Sequence, residues 1–174
     1  MVALLSSFVM RLRLKEQLKR LSSQSREKQI EFQSLLIVCA EKHANNEELF
    51  LKFAQQLSIA PEKITVIVLT TKELMETGTT SVTTHYFSRK SVGFFGKLPS
   101  SLKELFGKKF DLQLNFFNTT SVFTEWVSAS FNSDLRVGFS KSNQQLNDLI
   151  LDINPQEHDV FLRESHTYLK AILK

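Results

Sequence analysis

Two short apolar runs with a helical segment between them constrain the fold more than any other feature of this chain. Residues 34–40 (SLLIVCA) and 64–71 (ITVIVLTT) are continuous and rich in β-branched side chains, which is typical of buried strands. The segment between them follows Asn45 or Asn46 as a cap and stops at Pro61. This order predicts a βαβ unit, in which the two strands are parallel and the crossover is right-handed.

The remainder of the chain continues the alternation of strands and helices. Further strands are predicted at 82–87, 110–117, 135–139 and 149–153, and further helices at 102–106, 122–131 and from Pro155 to the end. Ser100 or Ser101 is the predicted cap of the helix at 102–106, and 140–147 is a predicted polar loop. The last helix is predicted to bury Val160, Phe161, Tyr168, Leu169 and Ile172. The pattern predicts a three-layer, Rossmann-like α/β domain with a mostly parallel sheet of five or six strands and flanking helices.

The first 28 residues differ from the rest in charge. Residues 11–28 hold seven cationic and two anionic side chains, a net charge of +5, whereas the whole chain carries +4. Apolar residues recur here at spacings of mostly three or four, which predicts a basic, amphipathic N-terminal helix; they are Leu4, Leu5, Phe8, Leu12, Leu14, Leu18 and Leu21. We therefore expect this helix over 1–28 and a single α/β domain over 29–174.

Composition excludes several classes of protein. Cys39 is the only cysteine, which rules out an internal disulfide framework and a cysteine-cluster metal site. No apolar run reaches the roughly 18–20 residues needed to span a bilayer. The first ten residues are apolar, but positive charges follow them, whereas a secretory signal places its charges first. We expect a cytoplasmic protein.

Four segments carry a resemblance to a known family. They are FFGKLPSSLKELFGKKFDLQLNFF (94–117), NSDLRVGF (132–139), NDLILDI (147–153) and FLRESHTYLKAIL (161–173). Together with the basic N-terminal helix, they resemble a family of uncharacterised proteins from Bacteroidota. The resemblance implies an intracellular α/β protein with a domain of unknown function, and it transfers no catalytic residues.

Motifs for common chemistries are missing from the sequence. Neither predicted strand of the βαβ unit is followed by glycine, and the chain has no GxGxxG or GxxxxGK[ST]. The four histidines show no HExxH or HxH spacing, and no GxSxG is present. The sequence therefore predicts no cofactor, no metal and no catalytic residues, and it favours a non-catalytic protein.

Two basic segments are the candidate binding surfaces. The first contributes Arg11, Arg13, Lys15, Lys19 and Arg20, and the second contributes Arg89, Lys90 and Lys97. We expect a binding or adaptor protein whose basic helix contacts an acidic protein or an anionic membrane, which would place it peripherally at the inner membrane. Nucleic acid is less favoured because few aromatic residues accompany the N-terminal charges. The helix could instead simply cover the core. If both segments share one face, a polyanionic partner is indicated.

The alternative is an enzyme or a binder of a small, unidentified ligand. Parallel sheets bind ligands at the carboxyl ends of their strands. The residues predicted to lie there are Cys39, Lys42, His43, Thr71 and Asp152. Cys39 is more simply a small buried hydrophobic residue.

Overall fold

A computed structural model describes residues 2–24, 31–71, 82–91 and 99–173. In chain order the helices are α1 (Val2–Ser23), α2 (Glu47–Gln56), α3 (Ser100–Gly107), α4 (Val122–Ser130) and α5 (His158–Ile172). The strands are β1 (Leu35–Ala40), β2 (Ile64–Thr70), β3 (Thr83–Ser88), β4 (Lys109–Phe116), β5 (Asn132–Phe139) and β6 (Leu149–Leu151). Short 3-10 turns occupy Glu41–His43, Pro61–Lys63, Arg89–Ser91 and Gln144–Leu146.

The six strands form one sheet in the order β3-β2-β1-β4-β5-β6. Each neighbouring pair in the described chain is parallel, so the predicted Rossmann-like α/β class is confirmed. The chain moves outward from β1 to β3 and then outward on the other side from β4 to β6. Because parallel crossovers are right-handed, this reversal places helices on opposite faces of the sheet.

One face of the sheet is covered by α2 and α5, and the other by α1, α3 and α4. Phe116 lies at the centre of the first layer, where its ring packs edge-on against Phe50, Phe139 and Phe161 at centroid distances of 5.3, 5.4 and 5.4 Å. These four phenylalanine side chains therefore stabilise the core, and their edge-to-face packing adds to the stabilisation from burial.

The second face of the sheet contains a buried polar network under α4. Asn115 Oδ1 accepts hydrogen bonds from Gln113 Nε2 at 2.9 Å and from Ser128 Oγ at 2.7 Å. Ser133 donates to Gln113 Oε1, and the buried Arg136 guanidinium donates to the Ser133 carbonyl. The polar side chains of β4 are thus satisfied inside the core, as buried polar groups must be.

The apolar residues of α1 do not share one face. Leu14 and Leu21 are buried against the second layer together with Met10, whereas Phe8 is 58% and Leu12 is 53% exposed. A helix turns about 100° per residue, which rotates Phe8 and Leu12 away from the side that packs on the sheet. The predicted helix is present, but its amphipathic character is not confirmed.

Three smaller predictions are wrong. The residue before α3 is Pro99, so Ser100 and Ser101 lie inside its first turn instead of capping it. Tyr168 and Ile172 are exposed on α5, although their spacing predicted burial. The segment 140–147 is not a purely polar loop, because its 3-10 turn buries Leu146 against the core.

Candidate anion-binding site

A cavity of about 890 Å³ opens at the carboxyl edge of the sheet, between α1 and the ends of β2 and β3. It is lined by four short segments from α1, β2, the turn after β3 and the start of α4. Its lining residues are Ser7, Met10, Arg11, Leu69, Thr70, Thr71, Arg89, Lys90 and Ser121, Val122, Phe123, Thr124. Small-molecule sites commonly have volumes of about 300–1,000 Å³.

Three cationic side chains converge on this cavity. Arg11 comes from α1, and Arg89 and Lys90 come from the turn that begins where β3 ends. The guanidinium of Arg89 donates to the hydroxyl of Ser7, which ties the two segments together across 82 positions of sequence. Within the described residues, no ion pair joins any of the three cations to a carboxylate. The described part of the cavity rim therefore carries three positive charges.

The N-terminus of α4 also faces the cavity. Ser121 caps the helix, and its hydroxyl accepts a hydrogen bond from the Thr124 amide at 3.5 Å. The first N–H groups of a helix lack intrahelical partners and carry a partial positive charge, so those of Val122 and Phe123 add to the attraction for an anion. A phosphate or carboxylate is the chemistry that such an arrangement favours.

Apolar side chains form the cavity floor. Met10 is 4%, Leu69 is 7% and Phe123 is 8% exposed, whereas Arg11, Thr71, Arg89 and Lys90 are exposed at the rim. Among the lining residues, Thr70 donates a hydrogen bond from its Oγ1 to the Glu41 carboxylate at 2.6 Å. The site is thus divided into an apolar interior and a cationic entrance.

The other predicted cations of α1 are divided between structural contacts and solvent. Arg20 donates to the carbonyls of Ala129 (3.1 Å) and Phe131 (3.2 Å) at the end of α4. The guanidinium of Arg13 lies 5.9 Å from the centre of the Trp126 ring. Both contacts hold α1 against α4, and they favour a structural role for this side of the helix.

Lys15 and Lys19 are exposed on the outer side of α1. Helical spacing places them on the same side as Phe8 and Leu12. Lys97 and the predicted domain boundary after residue 28 lie outside the described residues.

The five residues of the alternative site do not come together. Thr71 lines the cavity, but Asp152 follows β6 at the other edge of the sheet and accepts a hydrogen bond from Ser140 Oγ at 2.6 Å. With strands about 4.8 Å apart, four intervening steps separate the two residues by roughly 19 Å.

Cys39 and His43 lie in the core instead of at an open edge. Cys39 is fully buried, and desolvation raises the pKa of its thiol to about 12, so it is held as the neutral thiol. The His43 ring packs edge-on against Phe116 at 5.1 Å. Burial is the largest cause that lowers the pKa of His43, followed by the positive charge of Lys42 and by His158.

The switch point of the sheet, between β1 and β4, is bridged by its own loops. Lys42 Nζ donates to Asn118 Oδ1 at 3.4 Å, which connects the loop after β1 to the loop after β4. Dinucleotides bind at this point in doubly wound folds that carry a glycine-rich turn. Here the turn after β1 has the sequence Glu41–His43 without glycine, and the open cavity lies on the β2 and β3 side.

The sequence singled out Arg11, Arg89 and Lys90 but left open whether the two basic segments share one face, and it placed Thr71 in the alternative site. It missed Ser7 and Met10, and it did not place the start of α4 in a site, although Ser121 directly before the predicted helix at 122–131 is a cap signal. No group of three or more potential metal ligands occurs among the described residues. Among these residues, too, no helix is long and apolar enough to cross a membrane.

Residues 7–172 match a family of unknown function, DUF6913. This match confirms the predicted membership in a family without an assigned activity, while the bacterial phylum stays a prediction. No curated protein and no solved structure matches the chain.

Proposed function

We propose that this chain, which belongs to the DUF6913 family of unknown function, is a binding protein that recognises an anionic group in the cavity between α1 and the sheet edge. One observation carries the proposal: Arg11, Arg89 and Lys90, from two basic segments far apart in sequence, line the same cavity. Clustering like charges costs free energy in the empty protein, and a bound anion relieves it.

The surroundings of the cations support this function. The N-terminus of α4 supplies amide groups, and Thr71, Ser121 and Thr124 supply hydroxyls that can donate to an anion. Arginine also forms paired hydrogen bonds with phosphate or carboxylate oxygens, which gives geometric selectivity beyond simple attraction.

Isothermal titration with inorganic phosphate at low ionic strength tests the proposal. We expect Arg11→Gln and Arg89→Gln to weaken binding by about tenfold each, because a hydrogen bond to a charged group contributes about 1.5 kcal/mol. The matched control is Lys15→Gln, which removes one exposed charge from α1 outside the cavity. A wild-type protein that binds no phosphate, or an equal loss in Lys15→Gln, would contradict the proposal.

The outer side of α1 favours a second function, contact with an anionic membrane. Phe8 and Leu12 are exposed one turn apart, and Lys15 and Lys19 follow on the same side. Apolar side chains inserted at the headgroup level, with lysines beside them, are the pattern of an interfacial helix. An acidic protein partner at this side stays a prediction.

Flotation with phosphatidylglycerol-containing vesicles measures this second function. We expect the double variant Phe8→Ser with Leu12→Ser to lose binding. The control, Tyr168→Ser with Ile172→Ser, removes two exposed apolar side chains from α5 and should retain it. Equal binding to vesicles of neutral phosphatidylcholine would contradict an electrostatic contribution from the lysines.

A further inference from the structure

The cavity is polar at its entrance and apolar at its floor, and this division restricts what can fill it. The three cations and Thr71 are exposed, whereas Met10, Leu69 and Phe123 are buried at the interior end of the same lining. A fully hydrated inorganic ion would use the rim and leave the apolar floor uncovered. A ligand with an apolar body would remove that floor from water.

We infer that the natural ligand of this cavity is an amphipathic phosphate monoester, with its phosphate at the rim and its apolar body on the floor. The inference rests on the proposed anion-binding function and names the chemical class of the ligand. Atoms of the ligand that enter the cavity would contact the Met10 thioether, the Leu69 side chain and the Phe123 ring. Methionine is flexible and polarizable, so it adapts to an apolar ligand of variable shape.

Charge favours a phosphate monoester over a carboxylate. Three cations and a helix N-terminus face the rim, and no carboxylate occurs among the described residues that line the cavity. A phosphate monoester carries about −1.5 to −2 charges at neutral pH and has three acceptor oxygens, whereas a carboxylate has one charge and two oxygens. The phosphate can therefore engage Arg11 and Arg89 together with an amide of α4.

Calorimetry with hexyl phosphate, inorganic phosphate, hexanoate and hexanol tests each part of the ligand separately. Each methylene taken out of water favours binding about fourfold, so we expect hexyl phosphate to bind at least about tenfold more tightly than inorganic phosphate. It should also exceed hexanoate and hexanol by about tenfold or more. Met10→Gln should weaken the binding of hexyl phosphate but not that of inorganic phosphate. Met10 also packs α1 on the core. A second variant, Val122→Ser, therefore changes a lining residue that is only half-buried.

The outcomes separate this inference from the function on which it rests. Equal affinities for inorganic and hexyl phosphate would overturn the apolar part, and equal affinities for hexanoate and hexyl phosphate would overturn the phosphate assignment. Either result would leave the proposed anion-binding function in place. Failure of every anion to bind would overturn the proposed function itself.

The same chemistry can come from a soluble ester or from a lipid headgroup. Phosphatidylcholine vesicles with a minor fraction of phosphatidic acid distinguish the two sources. Competition of these vesicles with hexyl phosphate would support the ligand class and identify a membrane lipid as the source. Binding of hexyl phosphate without such competition would support the ligand class and identify a soluble ester.

Discussion

Replacing Gly138 by alanine is the sharpest test of the packing that holds β5 against its neighbours. A Cβ atom at this position would overlap with the side-chain amide of Asn147. That amide cannot simply swing aside, because Asn147 Oδ1 accepts a hydrogen bond from Asn115 Nδ2 at 2.7 Å. Asn115 is fully buried and belongs to the polar network under α4. The substitution therefore forces either a backbone shift or a broken network.

The expected magnitude follows from these two costs. Overpacking a core costs about 1–3 kcal/mol. Leaving the Asn115 amide without its acceptor costs about 1–3 kcal/mol more, because the group cannot reach water. We expect Gly138→Ala to lower the free energy of unfolding by about 2–5 kcal/mol, a large share of the roughly 5–15 kcal/mol available to a domain of this kind.

Urea denaturation followed by far-UV circular dichroism measures this change, with Asn147→Gly as the partner substitution. Asn147→Gly alone removes the Asn115 acceptor but also removes the obstacle to a Cβ at position 138. The free energy of unfolding of the double variant should therefore lie at most about 1 kcal/mol below that of Asn147→Gly alone. The two substitutions would then be strongly non-additive. A cost below about 1 kcal/mol for Gly138→Ala alone, or simple additivity in the double variant, would refute the reasoning.

Three further predictions follow from the core and from the α1–α4 contact. Burial lowers the pKa of His43 in the folded state below its ordinary value of 6.5. Near that pH the unfolded state therefore binds more protons than the folded state, and the free energy of unfolding should fall as pH drops from about 7.5 to about 5.5. Urea titrations of His43→Gln should show a weaker fall. Because the buried Cys39 thiol has a pKa of about 12, a thiol reagent such as DTNB should react with it only after denaturant is added; rapid labelling of the native protein would contradict this placement. Arg20→Gln should lower the free energy of unfolding by about 1 kcal/mol, since it removes the donor to two carbonyls that end α4; Lys19→Gln, on the same helix and without those contacts, should leave the denaturant midpoint unchanged.

The predicted strands and most of the helices match the structure because their signals are local. A continuous β-branched run such as 64–71 identifies a buried strand without reference to the rest of the chain, and the observed strand is Ile64–Thr70. The errors fall where burial depends on a distant partner. Tyr168 and Ile172 have core spacing on α5, yet the described structure leaves both exposed.

On β4 the burial of polar side chains, in contrast, depends on a distant element. The predicted strand at 110–117 alternates apolar with polar residues, and the polar ones include Gln113 and Asn115. Both are fully buried, because α4 covers them with its own Ser128 and completes their hydrogen bonds. A polar side chain indicates solvent exposure only when no distant element satisfies it.

The sequence by itself determined the βαβ unit, the parallel sheet and the presence of two basic segments, since strand and helix patterns and charge are written in neighbouring residues. It did not determine that Arg11 and Arg89 share a cavity, nor that Arg13 and Arg20 are held against α4. Those outcomes required the strand order to place the end of β3 near α1 and required α1 to dock along α4. Contacts between segments far apart in the chain depend on the packing of the whole domain, and only the tertiary structure decided them.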